Sequence, residues 1–190
     1  MVFSEIALKE WAVVVEALAS GEQVLLLRKG GIEDPQGGFR LEHREFLLYP
    51  SWEHQKKEMV RPEFQRIFPQ QGDPRKISFR LYAGIAFSAP VSDPAQLSGL
   101  EKYHIWTPSF FESRLKYHPQ EPALLALLRV YRLHQPAAHP VRPEYAGCRS
   151  WVKLAQPVFV SEAQPVIENR RFRSILEEIS ARLEKKRSHV

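Results

Sequence analysis

Basic side chains and glycines meet in one short stretch near the N-terminus, and residues of these types can hold phosphate groups. Arg28 and Lys29 end an apolar run, and the pair Gly30 and Gly31 follows directly. Arginine and lysine pair with phosphate oxygens, and a glycine loop lets backbone N–H groups approach an anion closely. The spacing is not that of a P-loop, which places its lysine directly before a helix. The stretch predicts a phosphate-binding loop or, as the alternative, a β-hairpin loop with solvated charges.

A second group of residues combines rings with positive charge. His104 and Trp106 precede a short segment that carries Arg114, and Arg149 and Lys153 add charge farther along the chain. Unpaired bases stack on aromatic rings and on guanidinium planes. We therefore predict that these five residues contact a nucleic-acid ligand. In the alternative interpretation, Trp106 is part of the hydrophobic core.

A third group is acidic. Glu42, His43 and Glu45 lie within four positions just before an apolar run. Carboxylates beside a histidine can form a general acid/base pair or bind a metal ion. These three residues are the catalytic candidates, and the alternative is a set of cross-strand salt bridges.

Other catalytic patterns are absent from the sequence. There is no G-x-S-x-G element, as serine hydrolases require. The single cysteine, Cys148, cannot supply the paired cysteines of a typical zinc site. The sequence therefore predicts no metal ion and no cofactor, and it favours a protein that is not an enzyme.

The overall charge points to an acidic partner. The chain of 190 residues has a formal net charge of +5. Residues 1–50 contain five Lys/Arg and eight Asp/Glu, a net of −3, so residues 51–190 carry +8. Such a surface attracts polyanions through counterion release. A single cysteine and the absence of a long apolar run predict a cytoplasmic protein that does not enter a membrane.

The hydrophobic pattern assigns elements that would position these groups. A first helix is predicted over residues 5–20, with Ser4 as its N-cap and Gly21 as its C-cap. A second helix is predicted from Gln55 towards Phe68, interrupted at Pro62, and a third begins at Pro108. Strands are predicted from alternation and short apolar runs at 24–27, 46–49, 77–91 and 149–154, and in the second half of 124–133.

A last helix is predicted over residues 168–186, with one apolar stripe that docks on this domain or on a second subunit. The predicted fold is α+β: a curled, mainly antiparallel sheet or a small pseudo-barrel, flanked by N- and C-terminal helices. Residues 1–160 would form a single domain, and 161–190 would supply the C-terminal helix.

Several segments resemble a bacterial family known as a domain of unknown function, DUF1802. They are ALKEW at 7–11, LLRKGG at 26–31, EHREFLLYP at 42–50, YHIW at 103–106 and WVKL at 151–154. The resemblance covers roughly residues 5–160. Some members are joined to Mrr-like restriction endonuclease domains, which implies a nucleic-acid or defence context.

The chain is also distantly similar to ASCH and PUA-like modules, whose motif is roughly G-x-K-x-x-E-x-R. Gly21 and Arg28 match its ends, whereas Gln23 replaces the lysine and Leu26 replaces the acid. The similarity implies a small barrel that binds RNA or modified bases. The two replacements remove support for the hydrolytic activity of such modules.

Three functions follow from these observations. The leading hypothesis is a non-catalytic nucleic-acid-binding module, for DNA or RNA, in a restriction or defence context. The second is a phosphodiesterase or base-processing enzyme that uses Glu42, His43 and Glu45. The third is an interaction subunit whose C-terminal helix docks a nuclease or a second copy of the chain.

Overall fold

A computed structural model describes residues 1–29, 41–147 and 149–187 of the chain. In this part of the chain, strands are long and helices are few. The strands are β1 (Phe3–Trp11), β2 (Leu25–Arg28), β3 (Glu45–Ser51), β4 (Lys76–Val91), β5 (Ala123–Pro140), β6 (Trp151–Phe159) and β7 (Gln164–Pro165). The α-helices are α1 (Ala12–Ser20), α2 (Pro108–Lys116) and α3 (Asn169–Arg187).

The described strands form one sheet in the order β2-β5-β4-β3-β1-β6, with β7 beside β5. Only the β1–β3 pair is parallel, and the other pairs are antiparallel. The long β4–β5 pair contains two register shifts, and bulges of this kind increase local twist. Because β2 and β6 do not pair with each other, the sheet is curled and open. The prediction of an α+β fold with a curled, mainly antiparallel sheet is confirmed, in its open form.

The predicted first helix is wrong over its first half, where the chain forms β1. Ala7 belongs to one buried cluster and the next residue, Leu8, to the other. This alternation is that of a central strand with both faces covered. Helix α1 starts only at Ala12, and the predicted N-cap Ser4 lies in the strand. The predicted C-cap is confirmed, since Gly21 has φ 76° and its N–H donates to the carbonyl of Leu18.

The helix predicted towards Phe68 is also wrong. The segment instead contains two short 3₁₀ turns, Lys57–Met59 and Pro62–Ile67. Between them, Val60 forms a β-bridge with Trp106, and the Arg61 N–H donates to the carbonyl of Ile105. These extended pairings replace the predicted helix, and the predicted interruption at Pro62 coincides with the start of the second 3₁₀ turn.

The other predicted elements have the expected type. The runs at 24–27, 46–49, 77–91 and 149–154 correspond to β2, β3, β4 and β6, and Pro108 opens α2. The ambiguous run at 124–133 is strand throughout, inside β5. Helix α3 packs its apolar stripe into the main core, where Phe172, Ile175, Ile179 and Leu183 are buried. Among the described residues, no helix combines the length and the apolar character needed to cross a membrane.

Candidate functional site

A cleft of about 520 Å³ lies where β1 and β2 end and α2 packs beside them. Its basic lining residues are Lys9, Arg28, Lys29, Lys56, Arg114 and Arg149, and its acidic ones are Glu10 and Glu53. Its ring-bearing lining residues are Trp11, His54, Trp106, Phe110 and Tyr117. Six basic side chains against two acidic ones give the lining a positive balance. The fold thus brings together five of the predicted ligand residues: Arg28, Lys29, Trp106, Arg114 and Arg149.

The floor of the cleft is a compact aromatic block. The rings of Trp106 and Phe110 stack with centroids 3.9 Å apart and planes 6° from parallel. Trp11 packs edge-on against both, at 5.5 and 6.0 Å. Trp106 is only 4% exposed, so its ring belongs to the core as well as to the floor. The rings more open to the cleft are Trp11, which is half-buried, and Tyr117, which is 40% exposed. The structure therefore favours the core interpretation for Trp106.

Arg114 lies on this aromatic block. It is one helical turn beyond Phe110, and its guanidinium carbon is 5.3 Å from the Phe110 ring centroid and 5.9 Å from that of Trp11. It makes no hydrogen bond or ion pair with any residue in the described part of the chain. Burial lowers the pKa of Arg114, and Glu10 and Arg28 act in opposite directions on it. An arginine remains charged in this setting, so its donors are available to an anion.

Arg28 connects the two edges of the open sheet. Its guanidinium donates to a Glu10 carboxylate oxygen at 3.1 Å, to the Ser150 hydroxyl at 2.8 Å and to the Lys9 carbonyl at 3.2 Å. The other Glu10 oxygen accepts the Trp11 N–H at 2.8 Å. Because Arg28 ends β2 and Ser150 precedes β6, these hydrogen bonds connect the two edge strands of the curled sheet at the cleft wall. Arg28 therefore has a structural role in addition to any contact with a ligand.

Lys29 is directed into the protein. Its ammonium donates to the carbonyl of Leu115, in the last turn of α2, at 3.1 Å, and the residue is 6% exposed. Such a bond satisfies a carbonyl that the helix itself leaves unpaired. Burial lowers the pKa of Lys29, and Glu121 partly opposes this effect. The predicted loop residues Gly30 and Gly31 lie outside the described part of the chain, as does Cys148.

Two other predicted ligand residues do not line the cleft. His104 is 4% exposed, its Nδ1 accepts the Trp106 N–H at 3.2 Å, and its ring packs on Phe111. Burial, together with Arg61, lowers the pKa of His104 to about 4. Lys153 is exposed and pairs with Glu5 at 3.1 Å. His104 therefore supports the floor from below, and Lys153 lies on the outer surface.

Several cleft residues were not predicted from the sequence. Lys9, Glu10 and Trp11 come from β1, which the helical pattern concealed, and Lys56 and His54 come from the segment before the first 3₁₀ turn. The local pattern gave no strand signal, because Lys9 and Glu10 stand side by side between Leu8 and Trp11 and do not alternate with apolar residues. His54 also has φ 58°, in the left-handed region that few residues other than glycine adopt.

The catalytic candidates lie elsewhere, in a shallow surface depression beside Gly84 at the start of β3. Glu42 and Glu45 are exposed, and Glu45 accepts the Tyr82 hydroxyl at 2.9 Å. Burial and the Glu45 carboxylate raise the pKa of Tyr82. The His43 ring packs edge-on against Trp151 at 5.1 Å. Within the described ranges, no group of three or more His, Cys, Asp or Glu residues could hold a metal ion.

Comparisons with known proteins give one family match and one structural likeness. The family model described as a domain of unknown function, DUF1802, matches residues 7–178. A comparison with curated proteins gives no match.

Three solved structures to which the chain is similar are forms of ASCH from Zymomonas mobilis. One mutant form has a TM-score of 0.46 and 16% identity, covering 80% of this chain and 88% of that one. A second mutant form has a TM-score of 0.43 and 13% identity, covering 80% and 90%. A further structure of ASCH from this organism has a TM-score of 0.42 and 16% identity, covering 80% and 87%.

Proposed function

The chain belongs to the DUF1802 family, which is described only as a domain of unknown function, so we infer that its function lies in the cleft. We propose that the cleft binds single-stranded nucleic acid and that the protein does not catalyse a reaction. In this proposal the phosphates contact the basic wall. An unpaired base lies against the open rings, Trp11 and Tyr117.

The observation that carries the proposal is the state of Arg114. The Arg114 guanidinium is held in position by aromatic rings, and its N–H groups have no acceptor in the described part of the chain. These N–H groups can therefore bond to a ligand. Arginine presents its donors in a planar fork that matches phosphate oxygens, and its face stacks on bases. One such residue in a cleft can therefore contact either part of a nucleotide.

The charge and size of the cleft support the same class of ligand. Lys56 and Arg149 are exposed on its wall, and basic lining residues outnumber acidic ones. A volume of about 520 Å³ is within the range of small-ligand sites and suits one nucleotide unit. A base must be unpaired to enter such a space, which favours a single strand over a duplex.

The proposed setting is a restriction or defence system in the cytoplasm, with a nuclease partner that supplies the catalysis. The resemblance to chains joined to Mrr-like endonuclease domains supports this setting. The exposed position of Glu42 and Glu45, away from the cleft, is consistent with a domain that does not itself catalyse.

Arg114→Gln tests the proposal. We expect the affinity for a mixed-sequence single-stranded oligonucleotide to fall about tenfold or more, because a charge-assisted hydrogen bond contributes about 1.5–3 kcal/mol. Arg114→Lys should have an intermediate affinity, since lysine keeps the positive charge but lacks the planar set of guanidinium donors. Fluorescence anisotropy with DNA and RNA strands at two salt concentrations measures the effect.

Lys153→Gln is the matched control, because it removes one positive charge outside the cleft. It should change the affinity less than twofold. Equal losses in the Arg114 and Lys153 variants would mean that the binding is a general effect of charge. Unchanged affinity in Arg114→Gln would contradict the proposal.

A further inference from the structure

A second cavity of about 260 Å³ adjoins the cleft. The two spaces share three lining residues, Lys9, Ser51 and Glu53, so they are neighbours along the end of β3. The proposed function does not use this second cavity. Its far side is formed by the 71–76 segment and by Tyr145.

The second cavity contains hydrogen-bond donors that no described residue pairs with. Tyr49 is 7% exposed, and its hydroxyl makes no hydrogen bond with any residue that the structure describes. The indole Nε1 of Trp52 is buried and likewise has no partner among these residues. A buried donor without an acceptor destabilises the folded protein. Of the two donors beside this cavity, the Trp52 Nε1 is buried without an acceptor, and a ligand with acceptor atoms in the cavity would pair with it and with the Tyr49 hydroxyl.

The surroundings keep the Tyr49 hydroxyl in its donor form. Burial raises the pKa of Tyr49, and Glu53 and Tyr145 act in the same direction. Its ring is held edge-on by Phe79 at 5.8 Å and by Tyr145 at 6.5 Å. The hydroxyl is therefore fixed as well as protonated at neutral pH.

The charges of the two spaces differ. Basic residues predominate in the cleft, whereas in the second cavity Lys9 and Lys76 are balanced by Glu53 and Asp73. Asp73 is already paired with Arg75 at 3.1 Å. A balanced cavity with rings and polar donors suits a neutral base better than a phosphate. Lys9 lines both spaces, and its ammonium is 2.9 Å from the Gly147 carbonyl and 5.7 Å from the Tyr49 ring centroid.

We propose that the second cavity binds the base of the nucleotide adjacent to the one in the cleft, so that the smallest complete ligand is two linked nucleotides whose joining phosphate passes Lys9. This proposal rests on the proposed function and adds the length of the ligand to it. Tyr49 and Trp52 are the residues that would contact the second base.

The test compares ligands that differ in the second nucleoside. A 5′-phosphorylated dinucleotide is compared with a nucleoside 3′,5′-bisphosphate, which carries the joining phosphate without the second nucleoside. We expect the dinucleotide to bind at least tenfold more tightly in calorimetric titration. Equal affinities would overturn the proposal, because the second nucleoside would then contribute nothing to the binding affinity.

Tyr49→Phe removes the hydroxyl and keeps the ring that packs in the core. It should reduce the advantage of the dinucleotide at least threefold and leave bisphosphate binding unchanged. Tyr82→Phe is the control, since Tyr82 donates to Glu45 and lines neither space. Equal effects of Tyr49→Phe on both ligands, or equal effects of the two variants, would overturn the assignment of Tyr49.

A longer single strand separates the two proposals. If a long strand binds and depends on Arg114 while the dinucleotide shows no advantage, only the second cavity's role is overturned. If no strand of any length binds, the proposed function fails and this inference fails with it.

Discussion

The basic residues of the cleft differ in what they already bond. Arg28 and Lys29 have acceptors inside the protein, at Glu10 and at the Leu115 carbonyl. Arg114 instead rests on the rings of Trp11 and Phe110. A side chain that is already paired must lose that pairing before it binds a ligand, which costs free energy. At the scale of single residues, Arg114 is therefore the strongest candidate for a phosphate contact.

His104 gives a prediction about pH. The pKa of a histidine in the unfolded chain is near 6.5, and burial lowers it to about 4 in the folded protein. Between these values the unfolded chain binds more protons. The neutral His104 thus stabilises the folded protein fully above pH 6.5, and this stabilisation is lost as the pH falls towards 4. A shift of this size corresponds to about 3 kcal/mol in the free energy of unfolding.

His104→Asn should therefore reduce the loss of stability between pH 7 and pH 5, because an amide oxygen accepts the same Trp106 N–H without gaining a proton. Urea denaturation at the two pH values measures the difference. His134→Asn, at an exposed position, is the control and should lose as much stability as the parent. If His104→Asn loses as much as this control, His104 does not carry the pH dependence. His139, whose pKa burial also lowers, would account for a remaining part.

At the scale of elements, the turn from α1 into β2 depends on one glycine. Gly21 has φ 76°, and a Cβ at this position would lie 3.2 Å from Cγ1 of Ile167. A left-handed conformation costs other residues about 1–2 kcal/mol. Gly21→Ala should therefore lower the free energy of unfolding by about 1–2 kcal/mol, as measured by urea denaturation.

Gly72→Ala is the matched control for this change. A Cβ at Gly72 would have no atom within 4 Å, and Gly72 is not among the glycines with positive φ. Its stability should remain within about 0.5 kcal/mol of the parent. Equal stability of the Gly21 and Gly72 variants would show that the turn tolerates a side chain.

Strands with clear alternation, such as β4, could be predicted from the sequence, and so could α3 with its apolar stripe. Strand β1 could not, because Ala7, Trp11 and Val14 also fit a helical stripe that continues into α1. The difference is decided by pairing with β3 and β6, which are distant in sequence. Long-range pairing overrides local preference in this way. The error removed Lys9 and Glu10 from the predicted site.

At the scale of the whole molecule, the cleft exists because the sheet curls without closing. Arg28 connects the end of β2 to Glu10 and Ser150, across strands that do not pair. Residue types suggested that Arg28, Arg114 and Arg149 share a ligand, and the fold places all three on one cleft. Sequence could not show that His104 lies beneath the floor or that Lys153 lies outside, because burial depends on the complete packing of the core.

The four tryptophans allow the central claim to be tested directly, because the fold distributes them over different surroundings. Trp11 and Trp106 line the cleft, and Trp52 lines the second cavity. Trp151 packs against His43 and Phe46 and lines neither space. Each indole N–H gives its own signal in a ¹H–¹⁵N NMR spectrum, so one titration with a single-stranded oligonucleotide reports on all these positions. We predict that the Trp11 and Trp106 signals shift to saturation while the Trp151 signal stays in place; a strand that binds and shifts Trp151 alone would contradict the assignment of the cleft as the binding site.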